Sequence, residues 1–327
     1  MIGDDEPVLH VPARDIPLPS TVSPEARAVL ARGGTGGTGG EGWPEGDTAA
    51  WKRRIARQDE RVAIMRRGRS TIAAAADVVD LDVDGVTVYE GTPHGGDPDD
   101  GRAHLSIHGG ALILGGGAQC RASAGVSAAG LGIRTWAVDY RMPPDDPYPA
   151  PLDDCVTAYR ALLRDHRPGE IVVSGGSAGA NLAAALILRA RDEGLPLPAA
   201  AVLQTPELDL TESGDTFRTN LGVDTVLGSL MTVNLLYADG HDLADPYLSP
   251  LFGDFTRGFP PTILTSGTRD LFLSNAVRMH RALRAAGVEA ELHVLEAAPH
   301  GAFLGQAPED RDLAREVSRF IAEHWTP

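Results

Sequence analysis

From Val78 onward the chain alternates short β-branched runs with helical patterns, and this alternation limits the folds open to it more than any other feature. Val78 to Val83 and Val86 to Tyr89 are joined by Asp84-Gly85, a dipeptide suited to a two-residue hairpin turn. The runs His104 to His108, Ile133 to Asp139, Ile171 to Ser174, Ala200 to Gln204, Thr262 to Ser266 and Glu291 to Leu295 read as strands. Between them Asp153 to Asp165, Ala178 to Arg191, Ser274 to Ala286 and Arg311 to His324 read as helices, as does the segment around Cys120. The pattern predicts an α/β fold, a mostly parallel central sheet with helices on both faces. Sites in such sheets form beyond the carboxyl ends of the strands. Chemistry is therefore expected in the loops that follow strands. The stretch from about Leu208 to Tyr247 breaks the alternation; it is partly helical, and an insertion there would lie over the sheet's carboxyl edge.

Residues 1 to 75 have a different texture: Pro-rich segments, a Gly-rich run from Gly33 to Gly42, then a charged helical pattern from Asp47 to about Arg67 with Ile55, Val62 and Met65 as its apolar positions. They read as a helical appendage to a main domain spanning 76–327, with the insertion near 208–247. The chain of 327 residues is long enough for a sizeable core. Its formal charge of -16 argues against a nucleic-acid partner or an anionic membrane surface, both of which call for a basic face. Two cysteines, Cys120 and Cys155, do not make a disulfide scaffold and are expected as buried free thiols. The acidic, Pro-rich start is unlike a secretory signal, and no run approaches a membrane span, so a cytoplasmic protein is expected.

Ile171-Val172-Val173-Ser174 leads into Gly175-Gly176-Ser177-Ala178-Gly179 and then a strong helix former. A serine at a sharp strand-to-helix turn is held in a strained backbone conformation, with its hydroxyl in the cleft and the positive end of the helix beside it. Small residues two positions away on either side let the chain pass. A phosphate-binding turn would need a lysine before the Ser/Thr, and none is near. His108-Gly109-Gly110-Ala111 follows an earlier strand. Such a glycine loop aims backbone N–H groups at a developing oxyanion, and Gly109, Gly110, Ala111 and Ala178 are the candidates, with His108 supporting the loop. A serine nucleophile needs a base, and His300 follows the strand Glu291 to Leu295. His293 and His280 lie inside a strand and a helix and read as packing or surface residues; His241 and His324 do not follow a strand. Asp270, after Thr262 to Ser266 and a short loop, suits the carboxylate that orients the histidine. The order Ser177, Asp270, His300 is that of α/β hydrolases.

On these residues the chain resembles the hormone-sensitive-lipase-like esterases, the bacterial branch of the α/β hydrolases. The resemblance covers roughly residues 78 to 325 and is carried by His108-Gly109-Gly110-Ala111, Asp139-Tyr140-Arg141-Met142-Pro143-Pro144, Tyr148-Pro149-Ala150-Pro151-Leu152-Asp153-Asp154, Gly175 to Leu182, Gly267 with Asp270, and His300-Gly301-Ala302-Phe303. It implies carboxylic-ester hydrolysis without metal or cofactor, and a helical cap built from the N-terminal segment and the insertion. It also implies a structural role for Tyr140-Arg141 and Asp153-Asp154, and pairing of two copies through about 291–324. Two positions depart from the family pattern. Ala111 stands where the family usually has a fourth-position glycine; a positive φ there would cost about 1 kcal/mol. Gly176 stands where an aspartate is frequent.

The expected substrate is a small ester of short to medium chain length. Thr205-Pro206-Glu207-Leu208-Asp209-Leu210 resembles a subgroup of lactone hydrolases, and a lactone is a cyclic ester open to the same triad. Removal of acetyl groups from a secondary metabolite is a further reading. A non-catalytic small-molecule binding protein is the alternative from another class, disfavoured by the presence of His300.

Overall fold

The computed structural model describes residues 9–33, 47–66, 75–97 and 100–325. The sheet begins with a hairpin of β1 (Ala76–Val83) and β2 (Val86–Pro93). Asp84 and Gly85 have φ of 52° and 88°, the doubly positive turn for which Asp-Gly is suited, and Val83 pairs with Val86 across it. The chain continues through β3 (Ala103–Ile107), α3 (Ala118–Leu131), β4 (Thr135–Val138), α4 (Ala150–Asp165), β5 (Ile171–Gly176), α5 (Ala178–Asp192) and β6 (Ala200–Gln204). It closes with β7 (Thr262–Gly267), α8 (Leu273–Ala285), β8 (Ala290–Leu295) and α9 (Pro308–His324). The eight strands lie in the order β1-β2-β4-β3-β5-β6-β7-β8. Pairings are antiparallel at β1–β2 and β2–β4 and parallel from β4 onward.

The expected alternation is therefore present, with small shifts at the ends. β4 is shorter than its apolar run at both ends; just past it the Asp139 amide still donates to Thr87 O of β2, and its carboxylate accepts from Tyr89 Oη and the Gly117 amide. β5 and α5 form the centre of the core: Val173, Leu182, Leu186 and Leu203 are fully buried in one cluster with Leu105 and Tyr159. Such an element, apolar all round, is a helix enclosed by protein rather than one facing water. Both cysteines are buried and free. Among the described residues no helix is long and apolar enough to cross a membrane.

Two N-terminal helices precede the sheet. α1 (Pro24–Ala31) lies in a stretch that reads only as Pro-rich, with Ser23 capping it and Pro24 in its first turn. Its buried face, Ala26, Val29 and Leu30, packs on Ala297, Ala298, Phe303 and Ala307, and Ser23 bonds Glu309 through its amide and hydroxyl at 2.7 and 2.8 Å. α2 (Thr48–Arg66) matches the expected charged helix. Val62 and Met65 lie outside the residues whose side chains are described, as does the Gly-rich run beyond Gly33 for the backbone as well. The 208–247 stretch holds α6 (Thr216–Thr219) and α7 (Met231–Ala238) and no strand. Trp51 of α2 is buried in one cluster with Phe217, Leu227, Leu230 and Val233 of that stretch and with Ala111, Ile113 and Leu114 of the glycine loop.

Removing that indole would leave a cavity between three segments. Trp51→Ala is expected to lower unfolding stability by about 3 kcal/mol in urea denaturation. Lys52→Ala, which breaks the exposed ion pair of Lys52 with Asp145, is expected to change it by less than about 1 kcal/mol.

Candidate active site

Ser177 sits between the last residue of β5 and the first of α5 with φ 57° and ψ −124°. A non-glycine residue there carries strain of order 1 kcal/mol, so neighbouring contacts must hold it. They do: the Ser177 amide donates to Gln204 O at 2.8 Å, and its carbonyl accepts from the amides of Ala180 and Glu207 at 3.0 and 3.3 Å. The outer glycines are steric requirements. A Cβ on Gly175 would fall 2.1 Å from Gly179 O, and one on Gly179 would fall 2.1 Å from Ile107 O. A Cβ on Gly176 would meet nothing closer than Gln204 O at 3.9 Å.

The structure brings the three separated residues together. His300 Nε2 lies 2.9 Å from Ser177 Oγ, and His300 Nδ1 lies 3.1 Å from Asp270 Oδ1. Asp270 is fully buried and also accepts from Ser266 Oγ and the Phe272 amide, which fixes both of its oxygens. The imidazole meets the Phe272 ring edge-on at 5.0 Å. Burial alone would lower the pKa of His300; the hydrogen bond and charge of Asp270, with Asp224 and Glu207, outweigh it and hold the imidazole above its ordinary value. His293, by contrast, pairs with Glu291 inside β8.

Asp224 is a residue that sequence reasoning missed. It comes from the 208–247 stretch, in no motif, yet its carboxylate accepts from the amides of Val226, Leu227, Leu271 and His300 at 2.8 to 3.4 Å. It ties the loop of Asp270 to the loop of His300. Burial raises its pKa against the opposing pull of His300.

His108 follows β3, its ring stacked on Tyr140 at 4.1 Å and its Nδ1 3.1 Å from Gly109 O. Tyr140 Oη donates to His108 O at 2.8 Å, and Arg141 grips Asp154 through its amide and guanidinium. A Cβ on Gly109 would fall 2.5 Å from Gly176 O, so the glycine loop lies directly against the serine turn. Ala111 has φ 53°, the left-handed conformation, so the strain of about 1 kcal/mol is present; its methyl is buried in the Trp51 cluster. Among the described residues the amides of Gly110, Ala111 and Ala178 donate to no other protein group. Gly109, Gly110, Ala111, Ser177 and His300 all line one cavity of about 480 Å³, closed on its apolar side by Leu114, Val226, Leu227 and Leu230. Away from it, His108, Cys120 and Asp139 bring three metal-ligand atom types within 4.8 Å of one another. Those groups are engaged in hydrogen bonds: the Cys120 thiol donates to Val138 O, and Asp139 accepts from Tyr89 and Gly117.

A family profile described as the α/β-hydrolase fold matches residues 104–304. An acetyl-hydrolase of Streptomyces hygroscopicus is 37% identical over 191 residues, 58% of this chain and 64% of that protein, so the match spans less than two thirds of the relative. The crystal structure of an esterase, E25, superposes with a TM-score of 0.87 at 35% identity, covering 98% of this chain and 99% of that one. An esterase of the bacterial hormone-sensitive lipase family superposes with a TM-score of 0.78 at 29% identity, over 93% and 99%. The chain belongs to the hormone-sensitive-lipase-like esterase family. In this family member the profile runs from β3 to just past His300, which leaves α1, α2 and α9 outside it.

The contact distances at the serine turn separate three glycines in one motif. Gly175→Ala and Gly179→Ala are expected to abolish soluble folded protein or to cost several kcal/mol. Gly176→Ala is expected to melt within a few degrees of the parent. Thermal unfolding of the three variants checks the ranking.

Proposed function

We propose that this chain is a serine carboxylesterase that cleaves short- to medium-chain esters through an acyl-enzyme at Ser177. The observation that carries the reading is the continuous path from Asp270 Oδ1 through the His300 ring to Ser177 Oγ. Asp270 holds the Nδ1–H tautomer, which leaves the Nε2 lone pair facing the serine hydroxyl. As Oγ attacks the ester carbonyl, His300 Nε2 takes its proton, and the carbonyl oxygen becomes an oxyanion. The amides of Gly110, Ala111 and Ala178, with Gly109 beside them, receive that oxyanion, aided by the positive end of α5. The imidazolium then protonates the leaving alcohol, and water repeats the cycle on the acyl-enzyme. His108, stacked on Tyr140, supports the loop that carries these donors. In this reading α2 and the 208–247 stretch form the cap that closes the apolar side of the cavity.

A cavity of about 480 Å³ with Leu114, Val226, Leu227 and Leu230 on one wall suits acetyl to medium acyl esters. The segment Thr205 to Leu210, which resembles lactone hydrolases, supports that substrate less directly. Asp209 is fully buried and bound to Thr211, Ser213 and Arg278, and within the segment only Thr205 lines the cavity.

Purified protein is expected to hydrolyse p-nitrophenyl acetate and butyrate, and Ser177→Ala to lose on the order of 10⁶ in kcat. Absence of turnover across a panel of acyl lengths and lactones, with Ser177 inert to a fluorophosphonate, would leave the binding-protein reading instead. The base must be neutral to act, so kcat/KM is expected to fall as pH drops through a midpoint above about 6.5, the ordinary histidine value that Asp270 shifts upward. Ala111→Gly relieves about 1 kcal/mol of strain but frees the unfolded chain by a similar amount. Its melting temperature and kcat/KM are expected to stay close to the parent's.

A further inference from the structure

Outside the triad, one buried carboxyl group belongs to a residue whose backbone meets the nucleophile's turn. Glu207 follows β6 by three residues and is 1% exposed. Its amide donates to Ser177 O at 3.3 Å, so its backbone is clamped to the strained turn itself. Its Oε2 is buried with no hydrogen-bond partner. The carboxyl feels the charges of Glu212, from the 208–247 stretch, and of His300, from the loop after β8, and a hydrogen bond from Asn234 of α7. Glu212 is itself held by Ser229 Oγ and the Leu230 amide at 2.7 and 2.6 Å. His300 is faced by Asp270, Asp224 and Glu207.

A side chain kept only for packing at such a site would be served as well by an uncharged one, because a buried polar atom without a partner is costly. The serine turn also lacks an acidic neighbour of its own, since Gly176 precedes Ser177. We propose that Glu207 is a positioning residue for the base: its buried carboxyl acts through His300 and, once ionised, steadies the imidazolium formed during proton transfer. This rests on the ester-hydrolase reading above. The proton of Ser177 Oγ moves to His300 Nε2 in that step, and Glu207 neither gives nor takes it.

The charge state of Glu207 then becomes visible in the rate. Burial, reinforced by Glu212 and opposed by His300, raises its pKa to about 8. Below that pH the group is neutral and His300 works with Asp270 and Asp224 alone. Above it a carboxylate is added beside the incipient imidazolium, which favours the transition state. His300 and Glu207 titrate as a pair, so two steps belong to the two groups together.

The test is the pH dependence of kcat/KM for p-nitrophenyl acetate from pH 5 to 10, followed by pH-stat, for wild type, Glu207→Gln and Glu212→Gln, with Ser177→Ala as blank. Wild type is expected to rise in two steps, the upper near pH 8. Glu207→Gln is expected to show the lower step only, with a plateau about fivefold below wild type at pH 9. Glu212→Gln removes a charge that opposes ionisation of Glu207, so its upper step is expected at lower pH than in wild type. A single step in wild type, or an upper step that survives Glu207→Gln, overturns the proposal, as does a Glu207→Gln variant that only melts earlier. Should Glu207→Gln not fold, wild type and Glu212→Gln decide: two steps with the upper one displaced uphold it, and a single step or an unmoved upper step overturns it. Absence of Ser177-dependent hydrolysis overturns the function and this inference together, whereas hydrolysis with a one-step profile overturns this inference alone.

Discussion

The contact between the serine turn and the strand beside it governs the rest of the site. Gly179 passes so close to Ile107 O that even one methyl is excluded, and Gly109 passes Gly176 O closely enough to exclude one as well. These approaches exist because β3 and β5 are neighbours in a parallel sheet, with Ile107 in register with Gly175. Register thus places the loop after β3 and the turn after β5 side by side at the same carboxyl edge. Strain at Ser177 and at Ala111 is tolerated because the surrounding core over-determines both segments. The proposed oxyanion donors and nucleophile are in this sense consequences of one strand pairing.

The sheet was largely legible in the sequence because its strands are short, β-branched and bounded by turn residues. Asp84-Gly85 gave the hairpin, and Ala200 to Gln204 gave β6 to the residue. Where reading from the sequence stopped, long-range contacts decide the structure. α1 has only eight residues, too short to be stable alone, and takes its order from Phe303 and Glu309, nearly three hundred residues away in the chain. The three residues of the proposed triad could be picked out because each follows a strand, so chain order and strand order together limit the choices, and the structure brings them together. Asp224 and Glu207 were not: Asp224 belongs to no recognised spacing, Glu207 lies in a segment read only for its likeness to lactone hydrolases, and each matters through the backbone amides or the imidazole it meets after folding.

Those two residues share a physical logic with Asp270. Three carboxyl groups, from three different parts of the chain, face one histidine. They are held differently. Asp270 has both oxygens fixed by hydrogen bonds, Asp224 accepts four backbone amides, and Glu207 has an oxygen with none. Hydrogen bonds to a carboxylate favour its charged form, and desolvation favours the neutral one. Asp270 and Asp224 are fixed in place by their donors, while burial raises the pKa of Glu207 to about 8.

A serine and a histidine in contact are not by themselves a catalytic pair, and this chain contains a counterexample. His104 Nε2 lies 2.6 Å from Ser174 Oγ, closer than His300 is to Ser177, with the other ring nitrogen 3.1 Å from Thr135 Oγ1. The pair lies across the middle strands of the sheet, where His104 is in register with Thr135. His104 has hydroxyl partners on both sides and no carboxylate, and burial drives its pKa down to about 4. Without a carboxylate to stabilise an imidazolium, that ring cannot take up a serine proton at neutral pH. Ser174 also precedes the turn, so it has neither the positive φ of Ser177 nor a helix end beside it. What distinguishes Ser177 is position at the carboxyl edge, a carboxylate behind its histidine and free amides in front, and only the first of these is written in its immediate neighbours.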